Sequence, residues 1–393
     1  MRLLFFLVLA GCSGPSQDIS DAGTDAYGHK VFPEASVEAA PPPIDCDAGS
    51  TPSATYPAAH PKLPLVTTVG GPVIASPRFV PIVFSAEDRT KDIGAFMKVA
   101  GGSSWWTLAA QYGVGPATAS DPIVVPETPA AQITDEDIQA WLANKLDGTH
   151  ADFGVPDASA IYVVYYPAST TIYESSLGPS CVTYSGYHNE TKVGATKVVY
   201  AVIARCDDVA MTSITSHELF EAATDPYFYT APAWRGVDEP SETPYGAFND
   251  ELGDLCEGAG DVTPDDIGYP VQRMWSNAGS QGAHDPCQPA SVPYFRTATA
   301  AQSISLAPGA TTTLDLVAFS DKDTGGPWTI KVTSSAYVFV DKLDLTLCRS
   351  TVQNGEHIPL VISRDPASTN GSTVQIESTL GNVSTGWQFT VGN

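Results

Sequence analysis

Ser216-His217-Glu218-Leu219-Phe220-Glu221-Ala222-Ala223-Thr224-Asp225-Pro226 reads as a helix that presents a site and then stops. His217 and Glu221 are four residues apart, so a helix turns both to one face. An imidazole and a carboxylate on one face can share a divalent cation. Glu218 follows the histidine directly and is placed to take a proton from a water beside such an ion. Pro226 cannot continue the helix and biases Asp225 away from helical backbone. Upstream, the run Lys197–Ile203 is β-branched and aromatic, as a strand covered on both faces should be. It leads through Arg205-Cys206-Asp207-Asp208 into the helix, and either aspartate is a candidate N-cap. The helix is expected over Val209–Ala223.

Moving outward toward the N-terminus, Ala160–Tyr166 is a second continuous apolar strand and Ile123–Val125 a short third. Arg78–Phe84 is a further strand, with Pro81 marking it as an edge or an irregularity. Lys91–Ala100 and Trp105–Gln111 read as helices, the second broken at Gly113. Thr134-Asp135-Glu136-Asp137 is a capping-box start, and Ile138, Trp141, Leu142 and Leu146 follow on one face. Strands alternating with helices predict an α/β (α+β) layered domain over residues 61–290.

Toward the C-terminus the texture changes twice. Residues 227–290 carry little periodicity, and a loop region that long inside a domain is usually functional. It is expected to fold back over the site helix. From residue 291 to 393 the runs Gln302–Leu306, Thr311–Phe319, Trp328–Val332, Leu343–Cys348, His357–Ser363, Ser372–Ser378 and Trp387–Val391 read as strands. Turn signals such as Asn354-Gly355 and Asn370-Gly371 punctuate them. That spacing predicts an all-β immunoglobulin-like sandwich.

The chain begins with Met1-Arg2 and a short apolar run, Leu3–Leu9, too short to span a bilayer and suited to a signal peptide. Leu9-Ala10-Gly11-Cys12 resembles a bacterial lipobox. The resemblance implies removal of residues 1–11 and lipidation of Cys12, each buried methylene of the acyl chains holding the protein by about 0.8 kcal/mol. The expected location is an exported, lipid-anchored protein of the outer membrane or cell surface. Residues 12–60, rich in Asp, Ala, Ser, Thr, Gly and Pro, read as a disordered tether. Of the 393 residues 43% are hydrophobic, enough for sizeable cores, and the formal net charge of −25 argues against a nucleic-acid partner. With Cys12 acylated, six cysteines remain, an even number that suggests three disulfides in an exported chain. The sequence leaves the pairing open; the candidates are Cys181 with Cys206 and Cys256 with Cys287, each bracketing a local segment, with Cys46 and Cys348 left over.

The helix resembles the zincin peptidases, whose pattern is His-Glu-x-x-His; here Glu221 stands at the second histidine position. That resemblance implies zinc, or another divalent ion given the harder ligand set, held by His217 and Glu221 with Glu218 as proton acceptor. A further ligand is needed. The candidates are Glu251 and Asp254, in Asn249-Asp250-Glu251-Leu252-Gly253-Asp254-Leu255-Cys256, and His188, in Tyr184-Ser185-Gly186-Tyr187-His188. One of the two acids would instead orient the helix histidine from behind. Tyr187 or His188 would stabilise an oxyanion. The blocks Ser216-His217-Glu218-Leu219, Thr224-Asp225-Pro226, Glu251-Leu252-Gly253-Asp254-Leu255-Cys256 and Val271-Gln272-Arg273-Met274-Trp275-Ser276-Asn277 also resemble the phosphate-induced, EXORDIUM-like family over residues 76 to 290. That family is extracellular and linked to cell-wall and growth functions. Two functions follow. One is a metal-dependent, peptidase-like hydrolase. The other is a non-catalytic surface protein contacting cell wall or carbohydrate, with Trp105, Trp106, Tyr227, Tyr229 and Trp234 as stacking surfaces. Neither a nucleophile-elbow serine nor a phosphate loop is present in the sequence.

Overall fold

The structure, a computed structural model, describes residues 51–207, 209–238, 242–243, 251–290, 292–336 and 342–392. Cys12, Cys46 and most of the expected tether lie outside them. The fold is β-rich with few helices. Three parallel strands form the middle of one mixed sheet: β1 (Arg78–Phe84), β4 (Ala160–Tyr165) and β6 (Thr196–Ile203), the last two flanking β5 (Gly186–Val193) in sequence. Two short strands, β2 (Thr118–Ala119) and β3 (Ile123–Val125), share the outer edge of β1. Strand β5 pairs antiparallel with β6 and closes the other edge.

Pro81 therefore sits in an inner strand, not at an edge. Strand β2 pairs with β1 at Arg78 and Phe79, and β3 at Ile82 to Phe84. The proline falls at the break between these two partners, where no ladder donor is called for.

Side-chain alternation divides the sheet into two cores. Phe79, Val83, Ile161, Val163, Tyr165, Val199, Ala201 and Ile203 face one way, against α1 (Thr90–Ala100), the 3-10 turn Trp106–Tyr112 and α3 (Met211–Thr224). Val80, Ile82, Tyr162, Val164, Val198, Tyr200 and Val202 face the other way, against α2 (Asp135–Lys145). Helix α2 starts with the expected capping box, Thr134 accepting from the Asp137 amide and Asp137 from the Thr134 amide. Helix α3 does not start as expected. Ala210 is its N-cap and brings no side-chain cap, Asp207 does not serve, and Asp208 lies outside the described residues. Instead the chain from 251 to 272 supplies polar partners along α3. Thr212 donates to the Pro270 carbonyl at 2.6 Å, Ser213 donates to Asp261 at 2.7 Å, and the Gln272 amide donates to Ser216 at 2.9 Å. The long segment thus packs along the site helix, ending in β7 (Val271–Gln272). Two disulfides pair as expected, Cys181 with Cys206 and Cys256 with Cys287. Cys348 is disulfide-bonded as well.

The C-terminal third forms two sheets. Strands β8 (Phe295–Ala298), β9 (Thr311–Ser320), β11 (Leu343–Leu347) and β12 (His357–Arg364) make one, in the order β8-β9-β12-β11. The other holds β10 (Trp328–Ala336), β13 (Ser372–Leu380) and β14 (Val383–Gly392), with short strands at its margins. Both sheets bury a common core around Phe295, Phe319, Trp328, Leu360, Ile376 and Phe389. Strand β8 escaped the sequence reading because Arg296 interrupts its apolar run, yet Arg296 is buried with its guanidinium 4.4 Å from the Tyr294 ring.

Individual contacts cross both expected boundaries. Glu242–Thr243 pairs with β14 at Trp387 and Gly386, across the expected boundary at 290/291. The tether also ends earlier than residue 60. Asn354 donates to the carbonyls of Ser53 and Thr55 and accepts from the Ala58 amide, and Ala58 is buried. A distant amide satisfies a polar stretch that cannot satisfy itself. Among the described residues no helix is long and apolar enough to cross a membrane. The disulfides fit a chain folded in an oxidising, extracytoplasmic compartment.

Candidate metal centre

Helix α3 is buried on most sides, with Phe220 wedged 5.7 Å from the rings of both Trp105 and Trp106. This packing fixes the helix rotation, and the rotation aims His217, Glu218 and Glu221 toward β5 and the 251–254 segment. His217 Nε2 lies 3.0 Å from Glu221 Oε2 and 3.4 Å from Asp254 Oδ1. A zinc ion at 2.0–2.1 Å from each of its ligands sets tetrahedral donors about 3.3 Å apart. The two distances from His217 fit that value, and all three donors lie within 4.8 Å of one another. Asp254 is thus the acid that joins His217 and Glu221. Its side chain is 44% accessible, against 12% for His217 and 3% for Glu221, so this group opens to solvent at Asp254.

Glu221 is held from behind. Its Oε1 accepts from the backbone amides of Gly253 at 2.8 Å and Asp254 at 3.0 Å, which leaves Oε2 toward the histidines. Only glycine allows this approach. A Cβ at residue 253 would lie 2.7 Å from Glu221 Oε1 and 3.0 Å from His217 Nδ1.

The orienter of His217 is neither Glu251 nor Asp254. It is Gln272, on β7. Its Nε2 donates to the Gly253 carbonyl at 2.7 Å, an atom that only accepts. Gln272 Oε1 therefore faces His217 Nδ1, at 2.9 Å, and Nδ1 carries the proton. Were Nε2 to lose its proton to a bound cation, its lone pair would face the Glu221–Asp254 side. Gln272 was quoted in the sequence only as part of the Val-Gln-x-x-Trp block. A glutamine gives no sign of its role until the strand is placed.

His188 comes from β5, where Ala201 is its cross-strand partner. Its Nδ1 lies 3.5 Å from Glu218 Oε2 and 3.8 Å from Glu221 Oε2, and its Nε2 lies 3.5 Å from Glu251 Oε1. His188, Glu218 and Glu221 thus form a second close donor group. Tyr187, its neighbour on the strand, points to the opposite face and donates to Asp135 at 2.6 Å. It cannot stabilise an oxyanion here, because consecutive strand residues face opposite sides of a sheet. Gly186 gives Glu218 its room, since a Cβ there would stand 3.0 Å from Glu218 Oε1.

The electrostatics show crowded negative charge. Burial, then the charges of Glu221, Asp225, Asp254 and Glu218, push the Glu251 carboxyl well above the usual range. Burial also raises Glu221, and the His217 charge only partly offsets it. Burial alone would lower His217, yet Glu221, Glu218 and Asp254 carry it well above an ordinary imidazole. His188 is raised by Glu218 and Glu221 against the same burial penalty. Partial desolvation would raise Asp254, but its hydrogen bond to His217 and that ring's charge hold it low. Glu251 Oε1 and Asp225 Oδ2 are buried without a hydrogen-bond partner.

Of the proposed stacking aromatics, Trp105 and Trp106 are buried, Trp234 and Tyr227 are half-buried, and Tyr229 is 65% exposed. A shallow depression around Arg78, Phe153, Val155 and Asp157 contains none of the site residues.

No protein-family model matches the chain, and no curated protein matches it. Among solved structures, the ZirS C-terminal domain is similar at 15% identity with a TM-score of 0.20, over 26% of this chain and 71% of that one. Domains 4 and 5 of the S-layer protein SbsC are similar at 18% identity with a TM-score of 0.19, over 26% of this chain and 55% of that one. Likenesses this slight carry no argument about chemistry.

Proposed function

We propose that the chain is an exported, metal-dependent hydrolase acting on a peptide or cell-wall substrate, with zinc or another divalent ion held by His217, Glu221 and Asp254. One observation carries the reading: three donors from two separate elements converge within 4.8 Å, with Gln272 fixing the His217 ring through Nδ1. A bound divalent ion would supply a Lewis acid that polarises a carbonyl and lowers the pKa of water. Glu218, the next residue along the helix, takes the water's proton and returns it to the leaving group. His188, 3.5 Å from that carboxylate, shares the transferred charge. Glu221 stays fixed by two backbone amides while the substrate enters on the Asp254 side.

The core of residues 61–290 is read as zincin-like and EXORDIUM-like, residues 291–393 as immunoglobulin-like, and Cys12 as the lipid anchor at the outer membrane or cell surface. The alternative is a non-catalytic cell-wall or carbohydrate-binding protein with a structural metal. Tyr229 is the aromatic that favours it, since its ring is largely exposed.

The test is metal content of the protein made in an oxidising compartment, beside His217→Ala and Glu218→Gln. The expected result is bound zinc that is lost in His217→Ala, with at least one equivalent retained in Glu218→Gln, which would then be inactive against peptide libraries. Folded protein without metal in any form would overturn the hydrolase reading.

A further inference from the structure

The His188 side of Glu221 gathers more buried acid than the proton transfer by Glu218 uses. Four carboxylates, Glu218, Glu221, Glu251 and Asp254, surround two imidazoles, and Glu218, Glu221 and Glu251 are each at most 6% exposed. Buried ionised groups persist when they are paired or coordinate a metal. One divalent ion on His217, Glu221 and Asp254 would engage two of the four carboxylates. The remaining two sit around His188, away from the Asp254 opening.

We propose that the chain binds a second divalent cation on His188 Nδ1, Glu218 Oε2 and Glu221 Oε2, with Glu221 shared between the two ions. The donor spacing supports it. His188 Nδ1 stands 3.5 Å and 3.8 Å from the two carboxylate oxygens, and the three donors lie within 4.8 Å of one another. Both figures suit a small divalent ion with nitrogen and oxygen ligands.

An independent observation comes from behind the histidine. Glu251 is 6% exposed, and its Oε1 has no hydrogen-bond partner while lying 3.5 Å from His188 Nε2. An orphaned buried carboxylate is costly by itself. Beside a histidine that ligates through Nδ1 it has a function, because such a ring keeps its proton on Nε2 and metal-bound histidines commonly direct it at a carboxylate. The Asp225 carbonyl, 3.4 Å from the same nitrogen, is a second acceptor. Burial raises Asp225's own carboxyl, and the Ala233 amide, donating to Oδ1 at 2.6 Å, acts against that shift.

The inference rests on the proposed function for the first ion. It gives Glu218 two states: proton acceptor while the second site is empty, ligand while it is filled. Occupancy of the second site would thereby set the activity of the first.

The experiment is a zinc titration of the full chain read by native mass spectrometry, with His188→Ala and Glu218→Gln as separate variants and circular dichroism as the folding control. The parent is expected to saturate at two equivalents, and each variant to keep one and lose the other, with affinity for the second ion weakened at least tenfold. A parent that saturates at one equivalent, lost in His217→Ala and kept in His188→Ala, overturns the second site and leaves the hydrolase reading intact. Two equivalents that survive in both variants place the second ion elsewhere and overturn the proposal. No bound zinc in any folded form overturns both readings.

Discussion

The two faces of the mixed sheet each bury carboxylates, and they treat them in opposite ways. On the α2 face, Asp135 accepts from Tyr187 and Tyr200 at 2.6 Å each, from Gln139 at 2.7 Å and from Asn189 at 3.1 Å. Four neutral donors satisfy one acid. On the α3 face, several acids share two histidines, and oxygens of Glu251 and Asp225 are left without donors. Strand β5 serves both, since Tyr187 and Asn189 point one way and His188 the other. A buried acid with complete neutral partners is part of the framework. A group of acids that lacks them depends on the charge of its histidines, and on the cation proposed above if one binds.

The largest way to sharpen this contrast is Asp135→Ala. It strands two tyrosine hydroxyls and two amides, and should cost about 3 kcal/mol in denaturant unfolding. Metal content per folded molecule should not change; a loss of metal would mean that the two faces are not independent.

Next is Gln272→Leu, which removes the acceptor for His217 Nδ1. Metal affinity should fall about 10- to 100-fold, or about 1.4 to 2.7 kcal/mol, with unchanged circular dichroism. Gln272→Glu keeps an acceptor there and should recover part of the loss. Equal affinity in the parent and Gln272→Leu would remove Gln272 from the site's machinery.

Glu251→Gln should have the opposite sign to Asp135→Ala in metal-free protein. Replacing an unpaired buried acid by a neutral amide should stabilise it by about 1 kcal/mol. Destabilisation of the metal-free form would show that Glu251 is as well satisfied as Asp135.

The smallest effect is a trend with pH. Glu221 and Glu251 titrate above 4.5, and His188 and His217 above 6.5. The folded chain therefore holds protons that the unfolded chain has released. Stability of the metal-free protein should fall as pH rises past 4.5 and go on falling through the histidine range. Asp254, held below 3.8, opposes this only in strong acid. With zinc bound the trend should reverse, because deprotonated ligands bind more tightly. Thermal melts at about pH 5.5 and about pH 8, with chelator and with zinc, should differ by a few degrees in opposite directions. Parallel trends would break the link between these residues and a cation.

The contrast between the faces was half legible in advance. His217, Glu218 and Glu221 were placed together by helical spacing alone, and the 251–254 acids were recognised as their partners. The division of labour among those partners was not. Asp254 rather than Glu251 joined His217, because the backbone amides of Gly253 and Asp254 bind Glu221 and carry Asp254 along. Tyr187 was assigned to the site and belongs to the opposite face, a question settled by the β5–β6 register.

What the sequence determined by itself was local: the capping box at Thr134, the strand runs and the helix ended by Pro226, while the two disulfides spanning 25 and 31 residues were only candidate pairings. Helical and strand periods and short covalent loops are set by neighbours along the chain. What only the tertiary structure decided was non-local. Gln272 reaches His217 across 55 residues, Gly253 reaches Glu221 across 32, and Asn354 holds Ser53 across 301. Such contacts depend on where a long segment comes to rest, and no period in the sequence encodes that. A hydrogen bond needs its two atoms within about 3 Å, and only the packed chain brings them there.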